Sequence, residues 1–136
     1  MVFIPPFARS LAGFMKYTDG RTKVGSFSKN MADASTSTGY TGVGFKPKAI
    51  IFLAVVDGST KYSFGYSDGT SNFGYGGYGD STILASNGAS AITIRNSAGN
   101  STGGVVASFD ADGFTITYTK SGSPTGTADI YYMAFR

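Results

Sequence analysis

The side chains that could do chemistry are few in kind. Every carboxylate is an Asp: Asp19, Asp33, Asp57, Asp68, Asp80, Asp110, Asp112 and Asp129, with no Glu in 136 residues. The densest pair, Asp110-Ala111-Asp112-Gly113, matches the opening spacing of a calcium loop. Calcium takes six to eight oxygens, and the EF-hand loop closes on a distal Glu that this chain cannot supply. Asp-Gly between two alternating segments is the ordinary hairpin turn, so we read a turn and expect no metal site. Paired carboxylates could hydrolyse a glycoside, but these aspartates lie mostly in Asp-Gly or loop-end contexts that turn geometry already accounts for. Ser and Thr are plentiful, yet the chain has no His and no Cys. That removes the usual general base, thiol nucleophiles and thiolate metal ligands. The remaining nucleophile designs need a Lys or terminal-Thr motif that does not occur. We therefore expect no enzyme, with no catalytic, cofactor-binding or metal residue.

A second chemistry is stacking. Between Tyr62 and Asp80 the chain interleaves Phe64, Tyr66, Phe73, Tyr75 and Tyr78 with glycines. Aromatic faces on such a segment can stack on sugar rings or anchor a protein interface. Alternatively, they fill a core while Gly permits close strand approach. Phe64 and Phe73 read as core. Tyr66, Tyr75 and Tyr78 are the candidate glycan or interface aromatics.

The elements that must position these groups are strands. Hydrophobic residues make up 41% of the chain and charged residues 14%, against about 25% charged in an ordinary soluble domain. Glu and Gln are absent and Gly numbers 20, so helix formers are scarce. Val24–Ser28 and Thr38–Phe45 are the first expected strands. Lys48–Val56 holds the apolar run 49–56 stopped by Asp57-Gly58, which predicts a central strand covered on both faces. Tyr62–Tyr66 and Phe73–Tyr75 predict a hairpin across Asp68-Gly69. Short strands follow at Ile83-Leu84 and around Ile92 and Ile94, and then one with Val105, Ala107 and Phe109 inward. Phe114, Ile116 and Tyr118 alternate cleanly with Thr115, Thr117 and Thr119. Asp129–Phe135 is the last strand. The spacing predicts an all-β domain over 24–136, a single antiparallel β-sandwich that is jelly-roll-like.

Residues 1–23 read as an extended N-terminal arm, broken by Pro5 and Pro6, with one short helical turn over Leu11–Tyr17. Its Phe3, Phe7, Leu11 and Phe14 either pack on their own domain or bury into a neighbouring subunit. Residues 1–48 carry seven basic side chains against two aspartates, a net of +5, and the remainder carries a net of −2. The basic residues are dispersed and no nucleic-acid recognition motif accompanies them. An acidic protein surface is the better expected partner, and nucleic acid is not expected. No run approaches a membrane span, and the start lacks a signal-peptide pattern, so synthesis in the cytoplasm is expected.

Two segments carry a resemblance. Thr38-Gly39-Tyr40-Thr41-Gly42-Val43-Gly44-Phe45-Lys46-Pro47-Lys48-Ala49-Ile50-Ile51-Phe52 resembles the Gly-Phe-x-Pro-x-Ala-apolar-apolar-Phe signature of small β-rich virion proteins of tailed bacteriophages. Asp112-Gly113-Phe114-Thr115-Ile116, with Ala128-Asp129-Ile130-Tyr131-Tyr132-Met133-Ala134-Phe135, is similar to the closing hairpin and last strand of such domains. The resemblance covers about residues 24–136 and carries over no ligand site. It implies a virion building block: a capsid decoration (cement) protein, a head fibre or a tail-associated domain, commonly a homotrimer. No coiled-coil shaft is evident. The start at Met1 and the end on the last strand suggest a whole small protein, so decoration is the expected role. The expected partner is the major capsid protein or neighbouring virion subunits, met by Phe3, Phe7, Arg9, Leu11, Phe14 and Lys16 of the arm. The rival reading is a lectin-like fibre domain holding a surface glycan on Tyr66, Tyr75 and Tyr78.

Overall fold

The computed structural model describes residues 20–56, 58–78 and 82–136, except for the side chains of Tyr78 and residues 82–87. Ten strands occur and, among the described residues, no helix: β1 Thr22–Asn30, β2 Thr36–Thr41, β3 Ala49–Val56, β4 Tyr62–Ser67, β5 Asn72–Tyr78, β6 Thr82–Asn87, β7 Ile92–Ser97, β8 Asn100–Asp110, β9 Gly113–Ser121 and β10 Thr127–Phe135. They form a six-stranded sheet ordered β1-β10-β3-β4-β5-β6 and a four-stranded sheet ordered β2-β9-β8-β7. Every pairing is antiparallel. The expected antiparallel β-sandwich is the observed architecture.

The core lies between the sheets. β9 brings Phe114, Ile116 and Tyr118 inward as its alternation predicts, against Ile50, Phe52 and Ala54 of β3 and Ile130 and Ala134 of β10. Phe114 is the hub. Its ring meets Phe52 edge-on at 5.7 Å and Tyr132 edge-on at 5.2 Å, and stacks on Tyr40 at 5.4 Å. The Tyr40 and Tyr118 hydroxyls share a hydrogen bond of 2.8 Å. Burial pushes the Tyr118 hydroxyl far above the ordinary tyrosine value, and its Tyr40 partner adds to the shift. Lys29, itself buried, lies 5.0 Å above the Tyr118 ring and pairs with Asp33 at 3.0 Å.

Three local expectations are corrected. The second strand ends at Thr41 rather than Phe45. Gly42 and Gly44 take positive φ (86° and 87°), and Asp112 accepts both of their N–H groups, at 3.1 and 2.6 Å. Only glycine adopts that backbone without strain. Val43 and Phe45 still reach the core, from a loop. In β8 the inward set is Thr102, Gly104 and Val106, not Val105 and Ala107. The register against β9 shifts between Val106 and Ser108, a bulge that returns the half-buried Phe109 to the core side. The Val106 N–H donates to Asn72 Oδ1 of the other sheet at 2.9 Å.

The third correction concerns β4 and β5. Phe64 and Phe73, expected in the core, are exposed. The inward positions are Ser63, Gly65 and Ser67 on β4, and Gly74 and Gly76 on β5. The cause is the close approach of β7. A methyl at Gly65 would overlap the carbonyl oxygen of Ala91, and one at Gly76 that of Thr93. Ser63 Oγ, fully buried, accepts the Thr93 N–H at 2.9 Å. Ile92, Thr93 and Ile94 are consequently all buried rather than alternating. With only small residues admitted beneath, the large side chains of β4 and β5 face outward.

Candidate docking face

The outward side chains of the six-stranded sheet form rows set by register. One row runs Val24–Met133–Ile51–Tyr66–Phe73, each residue directly opposite the next. The next runs Ser26–Tyr131–Leu53–Phe64–Tyr75, and a third Ser28–Asp129–Val55–Tyr62–Gly77. Nine of these residues are large, hydrophobic and between 37% and 64% exposed: Val24, Leu53, Val55, Tyr62, Phe64, Tyr66, Phe73, Tyr131 and Met133. At ~4.8 Å per strand and ~3.3 Å per residue, three rows over five strands span roughly 400 Å² with side-chain margins. That lies within the 300–600 Å² range in which the largest surface patch is often functional.

The face has two halves. On β1, β10 and β3 it is aliphatic, with a hollow of about 460 Å³ lined by Val24, Ile51, Leu53, Tyr131 and Met133. On β4 and β5 it is aromatic: Tyr66 stacks on Phe73 at 5.8 Å and 30°, and Phe64 and Tyr75 are cross-strand partners in the adjoining row. The single formal charge in the rows is Asp129, at the rim, whose Oδ1 accepts the Ser28 hydroxyl at 2.7 Å.

The strand expected to be covered on both faces, β3, is central in its sheet, between β10 and β4. It is covered on one side only, and Leu53 and Val55 are exposed on the other. Of the candidate aromatics, Tyr66 is exposed and Tyr75 half-buried on this face. The Tyr78 side chain lies outside the described residues, as do Phe3, Phe7, Arg9, Leu11, Phe14 and Lys16 of the arm. β1 begins at Thr22, so the last two residues assigned to the arm belong to the first strand. Sequence reasoning missed Val24, Ile51, Leu53, Val55, Tyr62, Tyr131 and Met133 as surface residues. The available signal was two strands, β3 and β10, that are apolar on both phases.

The other chemical candidates are engaged within the fold. Asp110 accepts hydroxyl hydrogen bonds from Ser108 and Thr115, both at 2.8 Å, and Asp112 serves the Gly42–Gly44 loop. Among the described residues no three His, Cys, Asp or Glu side chains come together as metal ligands. No described helix is long and apolar enough to cross a membrane. A second cleft, about 480 Å³, opens at the sheet end between Lys46, Lys48 and Arg136. No protein-family model, curated protein or solved structure matches the chain.

Proposed function

We propose that this chain is a structural protein of a tailed-bacteriophage virion, a capsid decoration protein that docks on the head as a homotrimer by protein–protein packing. The observation that carries the reading is the outer face of the six-stranded sheet, where three register-aligned rows carry nine large exposed apolar side chains with one charge at the rim. A cement protein needs adhesive area rather than catalytic groups, and aromatic and aliphatic anchors on a rigid sheet supply it. The resemblance of residues 38–52, 112–116 and 128–135 to phage virion domains is what supports that setting. The area also says what else docking needs. A patch of roughly 400 Å² pressed on a partner buries about 800 Å² in total, short of the 1,200–2,000 Å² of a stable interface. The Phe- and Leu-bearing arm is the natural source of the remainder, and Lys46, Lys48 and Arg136 suit an acidic capsid surface.

The test is co-sedimentation of the purified chain with heads assembled without it. Saturable binding supports the reading, and chain left wholly in the supernatant refutes it. A second reading rests on the aromatic half of the face. Tyr66 and Phe73, stacked and exposed beside Phe64 and Tyr75, could hold the rings of a surface glycan. Packing ranks first because Val24, Leu53, Val55 and Met133 offer a sugar nothing to stack on. Titration with host surface polysaccharide separates the two readings.

A further inference from the structure

We infer that the cleft at the end of the sandwich, between Phe45–Lys48, the β8–β9 turn and Arg136, is a receptor for a short, extended acidic peptide. It is separate from the outer face of the six-stranded sheet. That the peptide belongs to the docking partner rests on the packing reading; the carboxylate chemistry of the cleft does not.

The segment between β2 and β3 is built to hold its cations out. Burial alternates along it, with Val43, Phe45 and Pro47 inward and Gly44, Lys46 and Lys48 outward. Pro47 is fully buried; its ring fixes its own φ and confines Lys46 to extended backbone. Backbone hydrogen bonds fix both walls. The Lys48 N–H donates to the Phe135 carbonyl at 2.7 Å, and the Arg136 N–H to that of Arg21 at 2.9 Å. The Val43 N–H donates to the Asp112 carbonyl at 3.2 Å, which holds the turn bearing Ala111 against the loop. The cleft so formed, about 480 Å³, is lined by Phe45, Lys46, Pro47, Lys48, Ala111 and Arg136 among others.

Its charges are unspent. Lys46, Lys48 and Arg136 are exposed, and among the described residues none of them forms a salt bridge or a side-chain hydrogen bond. Lys29, by contrast, pairs with Asp33, and Lys120 donates to the Ala32 carbonyl. The two carboxylates flanking Ala111 are occupied: Asp110 by the Ser108 and Thr115 hydroxyls, Asp112 by the Gly42 and Gly44 N–H groups. Three cations thus surround an apolar floor of Phe45, Pro47 and Ala111. Low-dielectric walls lined by one sign of charge focus its field on an anion.

Spacing selects the anion. Lys46 and Lys48 are two residues apart on extended backbone, about 6–7 Å, and aspartates at i and i+2 of an extended peptide have the same spacing. Arg136 adds a planar fork that suits a carboxylate. A nucleic-acid backbone fits less well. Lys61 and Lys120 lie at the far end of the sandwich, beyond the ends of β3 and β9 that are remote from the cleft, so the cations gather at one end rather than line a track. Phe45, the cleft's aromatic residue, is buried and offers no face to a base.

The test titrates the full chain with the capped peptide Asp-Ser-Asp-Ser-Asp, following the backbone amide signals of Lys46, Lys48 and Arg136 by nuclear magnetic resonance. Saturable shifts at these amides are expected, and the Asn-Ser-Asn-Ser-Asn counterpart should produce none. Lys46→Ala combined with Lys48→Ala should weaken the peptide about tenfold. Both side chains are exposed, so the variant should stay folded, which near-ultraviolet circular dichroism checks. Lys61→Ala with Lys120→Ala removes the same charge from the far end and should leave the affinity within about twofold. Equal binding of the two peptides overturns the inference, because carboxylates then play no part. Equal weakening by the two double variants also overturns it, because net charge then explains the contact. A six-nucleotide oligothymidylate that outcompetes the peptide overturns it as well, and makes a phosphate backbone the ligand. The peptide is titrated on the soluble chain without heads, so failure of this site and failure of head docking are read separately.

Discussion

Adding one methyl group at Gly65 should destabilise this protein more than deleting the whole ring of its neighbour Phe64. The two residues are consecutive on β4 and point to opposite sides of the sheet. Phe64 is 49% exposed, so truncation to Ala forfeits about half of the 1.5–3 kcal/mol that full burial contributes, about 1 kcal/mol. At Gly65 a Cβ would overlap the Ala91 carbonyl oxygen and lie 2.6 Å from that of Phe73. Both obstacles are backbone, one in β5 of the same sheet and one at the residue that leads into β7, so no rotamer change relieves them. Overpacking typically costs 1–3 kcal/mol. Here the sheets must also part where Ser63 holds the Thr93 N–H, so Gly65→Ala should cost about 3 kcal/mol or more. Urea denaturation of both single variants reads the difference directly, since each 1 kcal/mol moves the midpoint by roughly 0.5 M at a slope of about 2 kcal/mol/M. A Phe64→Ala variant less stable than Gly65→Ala would refute the inward–outward assignment of β4, and with it the docking face.

The same logic separates two neighbours on β10: Ile130→Ala, fully buried, should cost about 2–5 kcal/mol, and Tyr131→Ala, half-exposed, about 1 kcal/mol, both by chemical denaturation. Stability should fall at alkaline pH. Tyr118 stays neutral in the native state above the pH at which an unfolded tyrosine ionises. The unfolded chain therefore holds fewer protons, and each pH unit well above 10 should cost up to about 1.4 kcal/mol from Tyr118, with Tyr40 and Tyr132, whose hydroxyl pKa values burial also raises, adding to the slope. Replacing Tyr118 with Phe should flatten that slope in pH-dependent unfolding, and an unaltered slope would remove Tyr118 as its source. Asp112→Ala should cost about 1 kcal/mol in thermal unfolding by releasing the Gly42 and Gly44 N–H groups on an exposed loop.

Much of the fold is legible in local pattern. Phe114, Ile116 and Tyr118 alternate with threonines and do line the core, and the run through Ile50 and Phe52 marks the central strand. The hairpin across Asp68 is equally plain, because its aromatics alternate up to a residue whose carboxylate accepts the Thr70 and Ser71 N–H groups. What local pattern does not carry is distance between sheets. Large side chains alternating with Ser and Gly read as large-inward, and only the approach of β7 to within backbone contact of Gly65 and Gly76 reverses that reading. The phase of β8 was hidden for a related reason, since the bulge between Val106 and Ser108 changes which residues face inward without leaving a mark in hydrophobicity. The candidate docking face is thus an inversion of the expected core rather than a new motif. Its aromatic residues were visible as unusual, and their direction was not.

Docking by packing requires that this face make the contact. The most direct measurement is the affinity of the chain for heads assembled without it, wild type against Leu53→Ser, Phe64→Ser and Tyr131→Ser combined in one variant. Three adjacent anchors at a packed interface predict a loss of about 100-fold or more, some 2.7 kcal/mol, in a variant that remains folded. Undiminished binding by that variant would contradict the account and move the contact to another surface of the molecule.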